Sequence, residues 1–313
     1  MNLEQLAGFA EVARTGHFTR AAERLHLAQP SLSRQIATLE QELGVDLFHR
    51  ARGNVTLTAA GERLLPLAKR MLADAATARS EMAELAGLKR GRVRLGATPT
   101  LCTSLVTEVL VEFQARHPGI DIEMLERGSR SLIEALVEGS LDLAIIVTSV
   151  SSGTARAVIE REPVLSERLV VVSSAVREDP FGGGPVGLAE LAGVPQVLFP
   201  KNYDLRAAVD LAFRERGLEP RIAVEGVEMD AALRFAERGI GVAVVPAMVT
   251  VGRPLLRVTP LADERLTRTV SVARRTDMTP THSGSAMRAL IREVAERFTG
   301  PGATAEHLVS PAR

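Results

Sequence analysis

Apolar side chains at Leu3, Leu6, Phe9, Ala10 and Ala13 recur at the spacing of one helix face. They predict an opening amphipathic helix, interrupted at Thr15-Gly16. Thr19 is placed to cap a second short helix over residues 20–25, where Ala21 and Ala22 are small enough for two helices to cross closely. After a turn at 26–29, Pro30 suits the first turn of a third helix, with Leu32, Ile36, Leu39 and Leu43 on its buried face. Gly44 stops that helix. Val45-Asp46-Leu47-Phe48 then returns apolar side chains to the core, and two short extended segments follow, joined by a turn at 49–54 and closing on Val55-Thr56-Leu57.

A long helix is predicted from Thr58, its capping residue, to about 88. Leu64, Met71, Ala75, Ala78, Met82 and Leu85 follow at spacings of 7, 4, 3, 4 and 3, a heptad seam that requires a partner helix. Packing on its own domain is the alternative, but so long an apolar seam is costly to expose outside a core. Pro66 bends the first turns or sits where the ladder is already perturbed. Lys89-Arg90-Gly91 ends the helix and marks the best domain boundary.

From Arg92 the pattern changes to strands and helices in alternation. Strands are expected at 93–96, 120–124, 141–147, 169–172, 196–199, 222–224, 242–245 and 270–273. Helices are expected at about 100–116, 132–137, 205–216, 231–238 and from about 285. The βαβαβ succession at its start predicts a parallel sheet with right-handed crossovers.

The 313 residues suffice for two ordinary domains, and 46% hydrophobic with 24% charged residues describes a globular chain with real cores. No apolar run reaches the roughly 18–20 residues of a membrane span. The start, MNLEQLAGFAEVAR, has no basic residue before Arg14 and no cleavage site, so no secretory signal is expected, and a cytoplasmic, nucleoid-associated location follows. Cys102 is the single cysteine, which excludes an internal disulfide or a thiolate zinc cluster. His17, His26, His49, His117, His282 and His307 show no ligand spacing, so no metal site is expected. The 38 basic residues balance 38 acidic ones. That argues against a uniformly basic nucleic-acid coat, yet a few clustered arginines suffice for a site-specific binder.

Two helices joined by a short turn form a helix-turn-helix, in which the start of the second helix enters the major groove. The candidate DNA contacts are Gln29, Pro30, Ser31, Ser33, Arg34 and Gln35 on that helix, with Arg50 and Arg52 meeting phosphates from the tip of a wing. Arg34 is suited to a bidentate contact with guanine. The solvated face of a small helical domain would carry the same residue types. Three helices, a basic wing and a long helix in that order decide for DNA.

The stretch FTRAAERLHLAQPSLSRQIATLEQELGVDLFHRARGNVTLTAAGERLL resembles the amino-terminal signature of the LysR-type transcriptional regulators at nearly every position. It departs at His17, where Ser is frequent, and at Ala28, where Ser or Thr often precedes the Gln-Pro pair. The resemblance implies an α+β architecture overall: a winged helix-turn-helix over 1–58, a dimerisation linker helix over 59–90, and a two-lobed α/β periplasmic-binding-protein-like effector domain over 91–299. Lobe 1 is placed at about 92–163 and 268–298, and lobe 2 at about 164–267. The tail 300–313, with Gly, Pro and Ala, is expected to be disordered. A homodimer joined by the linker helix reads a pseudo-palindromic site in double-stranded promoter DNA. A homotetramer and contact with RNA polymerase follow from the resemblance alone.

Open parallel sheets bind ligands beyond the carboxyl ends of their strands, which selects Ala97-Thr98-Pro99-Thr100 and Gly128-Ser129. The resemblance maps effector contacts onto Thr100 and Ser129, with Thr98 beside them. Pro200, Asn202, Tyr203 and Met229 follow from the second lobe. No cofactor is expected. The effector is a small-molecule co-inducer, for which free helix amides favour a carboxylate. Thr98 and Ser129 serve equally as helix caps, Tyr203 as a surface residue, and Lys201 as an ordinary solvated charge. Cys102 falls near a predicted helix amino terminus, where a thiol pKa drops, though a small buried residue needs no redox role.

Two other functions compete: an enzyme, or a small-molecule-binding transport protein, carried on the α/β domain. No nucleophile elbow, phosphate loop or dinucleotide fingerprint appears, so no catalysis is expected. The helix-turn-helix opposes a transport role.

Overall fold

A computed structural model describes residues 1–51, 54–85, 91–148, 158–201, 203–300 and 307–312. The chain divides into two units. One is Met1–Gly91 together with Glu134–Asp142, and the other is Arg92–Ile133 and Leu143–Arg313.

In the first unit, α1 (Leu3–Thr15) opens with a capping box: the Asn2 side chain accepts the Gln5 N–H at 2.9 Å, and the Gln5 side chain accepts the Asn2 N–H at 2.8 Å. Gly16, at φ 68°, ends it. The next helix, α2 (Phe18–Arg24), begins earlier than predicted. His17 occupies its cap position without a side-chain bond, and Thr19 lies inside the first turn instead of capping it. The chain reaches α3 (Gln29–Leu43) through His26 at φ 54°, a left-handed conformation that histidine adopts more readily than most residues. At the α3 cap, Ala28 has no side-chain oxygen to offer, and only its carbonyl engages the helix, accepting from Ser31 and Leu32.

The wing is the antiparallel pair β1 (Phe48–Ala51) and β2 (Asn54–Leu57), with Phe48 opposite Leu57. A buried carboxylate on α3 fastens its base: Glu40 accepts the N–H groups of Leu47 at 2.9 Å and Phe48 at 3.3 Å. Leu6, Phe9, Val12, Leu32, Ile36, Leu39 and Leu47 close the core, and Phe48 lies within 5.3 Å of the Phe9 ring centroid and 5.9 Å of Phe18.

The long helix α4 (Ala59–Leu85) starts where the Thr58 hydroxyl accepts the Gly61 N–H at 3.1 Å, the expected cap. Its seam has two parts. Leu64 and Met71 pack against the core of their own unit, while Ala78 is exposed and Met82 is 59% exposed. The side chain of Leu85 lies outside the described residues.

After α4 the chain forms β3 (Gly91–Ala97), α5 (Pro99–Cys102), α6 (Leu105–Arg116), β4 (Ile120–Glu126), α7 (Ser129–Val137) and β5 (Leu143–Thr148), all in the second unit except Gly91 and the α7 residues from Glu134 on. It continues with β6 (Ile159–Ser174), α8 (Leu188–Ala192), β7 (Gln196–Leu198), α9 (Asp204–Arg214), β8 (Ile222–Glu225), α10 (Met229–Glu237) and β9 (Ala243–Pro246). After a 3-10 turn at Ala247–Thr250 come β10 (Leu256–Pro260), β11 (Thr267–Arg275), α11 (His282–Thr299) and β12 (Val309–Pro311). The single helix predicted over 100–116 is broken at Ser104, whose backbone (φ −136°, ψ −103°) leaves the helical region.

Strands β4, β3, β5, β11 and β6 lie in that order, with β3 and β5 parallel, as the βαβ pattern predicts, and β11 antiparallel to both its neighbours. The 16-residue β6 extends well beyond the predicted 169–172. Residues 159–168 pair with β11, whereas 169–174 pair with β9 on one edge and β10 on the other. The lobes therefore exchange at Arg168-Leu169.

Part of the tail expected to be disordered forms β12, which pairs with β6 so that Val309 faces Glu167. The Arg168 N–H donates to Leu308 O at 2.8 Å, and Val309 is 2% exposed. A short strand here satisfies a β6 edge that would otherwise present free backbone groups. Residues 301–306 and 313 lie outside the described residues.

A Cβ at Gly61 would lie 2.2 Å from the Leu47 carbonyl oxygen and 2.8 Å from Leu57 Cδ2. Gly61→Ala is therefore expected to destabilise the first unit by about 1–3 kcal/mol or more, read by chemical denaturation. Gly128→Ala, where nothing lies within 4 Å, serves as the neutral control.

Candidate functional site

The first candidate surface is the amino-terminal half of α3. Gln29, Pro30, Ser31 and Arg34 are exposed there, and Ser33 is half-buried. Gln29 Nε2 donates to Ser33 Oγ at 2.9 Å, so these two side chains form one polar unit one turn apart. Pro30 has no donor and offers only a contact surface. No hydrogen bond or ion pair joins the Arg34 side chain to another described residue. Gln35 is set apart: its Oε1 is buried without a partner, facing α1 where Gly8 removes a side chain. The Arg50 backbone lies in β1 opposite Val55. The Arg50 side chain and all of Arg52 lie outside the described residues.

Pairing distinguishes the arginines of α1 and α2. Arg14 and Arg24 both bind Glu11, at 2.5 and 2.9 Å, and these pairs, led by the Arg14 hydrogen bond, hold the Glu11 carboxyl below its usual pKa. Arg20, which sequence reasoning did not single out, is exposed on α2 with no partner among the described residues.

The second candidate surface lies where the chain leaves β3 for β4 on one side and later returns to β5 on the other, a topological switch point. Ala97 O accepts the Arg127 N–H at 3.3 Å, tying the loops after β3 and β4 together. Thr98 stands at the cap position of α5 yet makes no capping bond, and its Oγ1 is buried without a partner. The Thr100 hydroxyl, also buried, accepts from Arg268 Nη1 at 2.7 Å. Ser129, the first residue of α7, accepts the Val147 N–H at 3.1 Å. Neither Thr98 nor Ser129 caps its helix through its side chain. The oxygens of Thr100 and Ser129 are already accepting, so each keeps its hydroxyl hydrogen to donate.

In the second lobe, the Phe199 and Tyr203 rings stack with centroids 6.1 Å apart, and the Tyr203 hydroxyl donates to the Glu228 carboxylate. Glu228 occupies the cap position of α10, and Met229, its first residue, is buried. Pro200 is half-buried, Lys201 is exposed, and Asn202 lies outside the described residues. Arg206, buried on α9, donates to Phe199 O at 2.9 Å, to Asp210 at 2.7 Å and to Glu225 at 2.9 Å, which fixes the loop after β7. Burial works to lower its pKa, but the bonds to Asp210 and Glu225 outweigh it and raise it. Among the described residues, no hydrogen bond joins Tyr203 or Met229 to Thr98, Thr100 or Ser129.

Cys102 is half-buried and is the last residue of the four-residue α5, two residues before the cap of α6. Burial first, and the Glu126 charge second, push its thiol up to about 11. Among the described residues, no group of three or more His, Cys, Asp or Glu could hold a metal ion. No helix among them is long and apolar enough to cross a membrane.

A winged helix-turn-helix with a long helix, together with a two-lobed α/β unit bearing hydroxyls at its switch point, defines a ligand-responsive DNA-binding protein. Residues 3–62 match the family described as bacterial regulatory helix-turn-helix protein, lysR family, and residues 86–299 match the LysR substrate binding domain. The chain belongs to the LysR family: it is a DNA-binding transcription regulator with an effector-binding cleft. It is 33% identical to a probable nitrogen assimilation transcriptional activator of Synechococcus elongatus, over 87% of this chain and 88% of that one. It is also 33% identical to the HTH-type transcriptional regulator IlvR of Caulobacter vibrioides, over 96% and 100%. Among solved structures, full-length CbnR complexed with its target DNA is similar at 26% identity and TM-score 0.66, covering 95% of this chain and 99% of that one. Full-length BenM is similar at 27% identity and TM-score 0.56, with both chains covered completely.

A thiol with a pKa of about 11 is about one part in a thousand thiolate at pH 8. Alkylation of Cys102 by iodoacetamide in the folded protein is expected to be slow at pH 8 and to accelerate with each unit up to pH 11. A rate already at its plateau at pH 8 would overturn this assignment.

Proposed function

We propose that α3 reads operator DNA, with Arg34 contacting a guanine and Gln29, Ser31 and Ser33 contacting base edges or phosphates. Pro30 and Gln35 shape that face, and Arg50 and Arg52 grip the backbone from the wing. A second copy covers the exposed side of α4, where Leu67 and Met82 are 53% and 59% exposed, giving two recognition helices for a pseudo-palindromic site. The solved complex of CbnR with its target DNA supports this mode by likeness. A homotetramer and a contact with RNA polymerase complete the reading. The protein acts inside the cell, and its α/β unit binds without catalysing.

The effector in this reading is a small oxyanion, foremost a carboxylate, held by Thr98, Thr100 and Ser129. Pro200, Asn202, Tyr203 and Met229 supply the other wall. The buried, unpartnered Thr98 hydroxyl carries this reading: an unmet buried donor is destabilising until an acceptor arrives. The two neighbouring hydroxyls each already accept one hydrogen bond from a fixed N–H and have a hydrogen to give, so a ligand rich in acceptors fits all three.

Arg34→Ala is expected to weaken binding to an operator selected by the protein itself about 10- to 100-fold at fixed salt, with the oligomeric state unchanged. Equal affinity by fluorescence anisotropy would remove Arg34 from base reading. For the effector, Thr98→Val is expected to leave the free protein at least as stable as native while abolishing the rise in melting temperature caused by a binding carboxylate. A preserved rise would place the ligand elsewhere. Ser129→Ala loses the same response and also some stability, because the Val147 N–H loses its acceptor.

A further inference from the structure

The lobes meet at one buried ion pair. Glu167 on β6 and Arg268 on β11 face each other directly in register, with side chains 0% and 9% exposed. Arg268 Nε donates to Glu167 Oε1 at 2.7 Å. Nη2 lies 2.6 Å from the same oxygen, off the bonding direction. Each partner then reaches one lobe. Arg268 Nη1 donates to the Thr100 hydroxyl at 2.7 Å, and Glu167 Oε2 accepts the Met248 N–H of the 3-10 turn at 3.0 Å. The connected atoms thus run from the first lobe through both crossover strands into the second.

We propose that Glu167 and Arg268 are positioning residues that relay the state of the Thr100 hydroxyl to the second lobe. This inference rests on the reading of Thr100 as an effector contact. A buried pair gains little over apolar packing of equal volume, so stability alone does not account for it. Its geometry supplies direction. The guanidinium and an anion accepting the Thr100 hydrogen share one oxygen, so each strengthens the other's bond. A guanidinium held more firmly toward Thr100 changes its hold on Glu167, and Glu167 sets the Met248 turn. Coupling of this kind requires that occupied and free states bond the pair differently, which the shared oxygen provides. Arg268 also orients Thr100, since by donating to the oxygen it leaves the hydroxyl hydrogen free for the ligand.

Removing either charge leaves the other buried and risks unfolding, so the test acts at the end of the relay. Hydrogen exchange of the full-length protein without ligand is followed by mass spectrometry in peptides covering 243–251 and 97–103. Thr100→Val removes the acceptor of Arg268 and is expected to speed exchange at 243–251 about three- to tenfold, the shift one hydrogen bond supplies. Thr100→Ser, which keeps a hydroxyl, is expected to restore the native rate, and Thr98→Val to leave it unchanged. Unchanged exchange at 243–251 in Thr100→Val, or equal acceleration in Thr98→Val, overturns the relay. A separate arm titrates succinate and sulfate into native protein. Protection of 97–103 together with 243–251 supports both the relay and the effector reading, while protection of 97–103 alone overturns the relay. No protection of 97–103 by either anion counts against the oxyanion reading and leaves the relay to be decided by the ligand-free arm.

Discussion

Glu167 sits where a single strand passes from one sheet into another, and both its carboxylate oxygens are committed, one to Arg268 and one to the Met248 amide. The surrounding backbone is equally committed. At 165–167, β6 pairs with β11 on one edge and β12 on the other, and the Leu169 N–H donates to Leu266 O at 2.8 Å. Three chain segments far apart in sequence thus converge on a few residues. With charged groups this deeply buried, the pair must stay intact, because an uncompensated charge there is strongly destabilising. The crossover is therefore the stiff point of the α/β unit, and the loops carrying the candidate effector contacts are placed relative to it.

The same device recurs in the second lobe. Arg206 is buried, holds two carboxylates, and donates from Nη1 to the Phe199 carbonyl at the mouth of the loop bearing Pro200 and Tyr203. Each lobe thus presents its candidate contacts on a loop pinned by one buried guanidinium. Arginine suits this task because its planar fork bonds several acceptors at fixed angles, where an ammonium would act as a point charge. The contacts themselves then remain chemically simple. The Thr100 and Ser129 hydroxyls each accept a bond from a fixed N–H and keep a hydrogen to donate.

Local signals revealed most of the architecture. The helix-turn-helix, the cap at Thr58 and the alternation after Arg92 were readable because each depends on neighbours in sequence. Thr19 misled because a hydroxyl two residues late fits the same pattern as a true cap, and only backbone geometry shows that α2 already begins at Phe18. The first half of β6 escaped notice because its charged residues read as loop; in the fold they meet partners across strands and on α11, as Glu162 meets Arg288 at 2.6 Å. The strand near the end of the chain was hidden behind a Gly- and Pro-containing segment, and its pairing needs an edge that no local pattern reveals. Strand ends, with the family resemblance for Thr100 and Ser129, put forward Thr98, Thr100 and Ser129 as candidates. What polarises them, Arg268 and the Val147 amide, lies 168 and 18 residues away respectively.

The balanced charge of the chain acquires meaning only through pairing. A sum of 38 positive and 38 negative groups predicts no field that would draw the protein to DNA. Yet screening confines each exposed charge to about 8 Å at physiological salt, so the sum is not what a phosphate meets. On the first three helices, Glu11 neutralises Arg14 and Arg24, while Arg20 and Arg34 are exposed without partners among the described residues. In the second unit, Arg206 and Arg268 are buried with their carboxylates and add nothing to the surface field. One residue type therefore does two opposite things: paired in the interior it orders loops, and unpaired on α2 and α3 it presents charge to solvent. A neutral composition is compatible with a locally positive surface wherever the carboxylates are committed to other arginines.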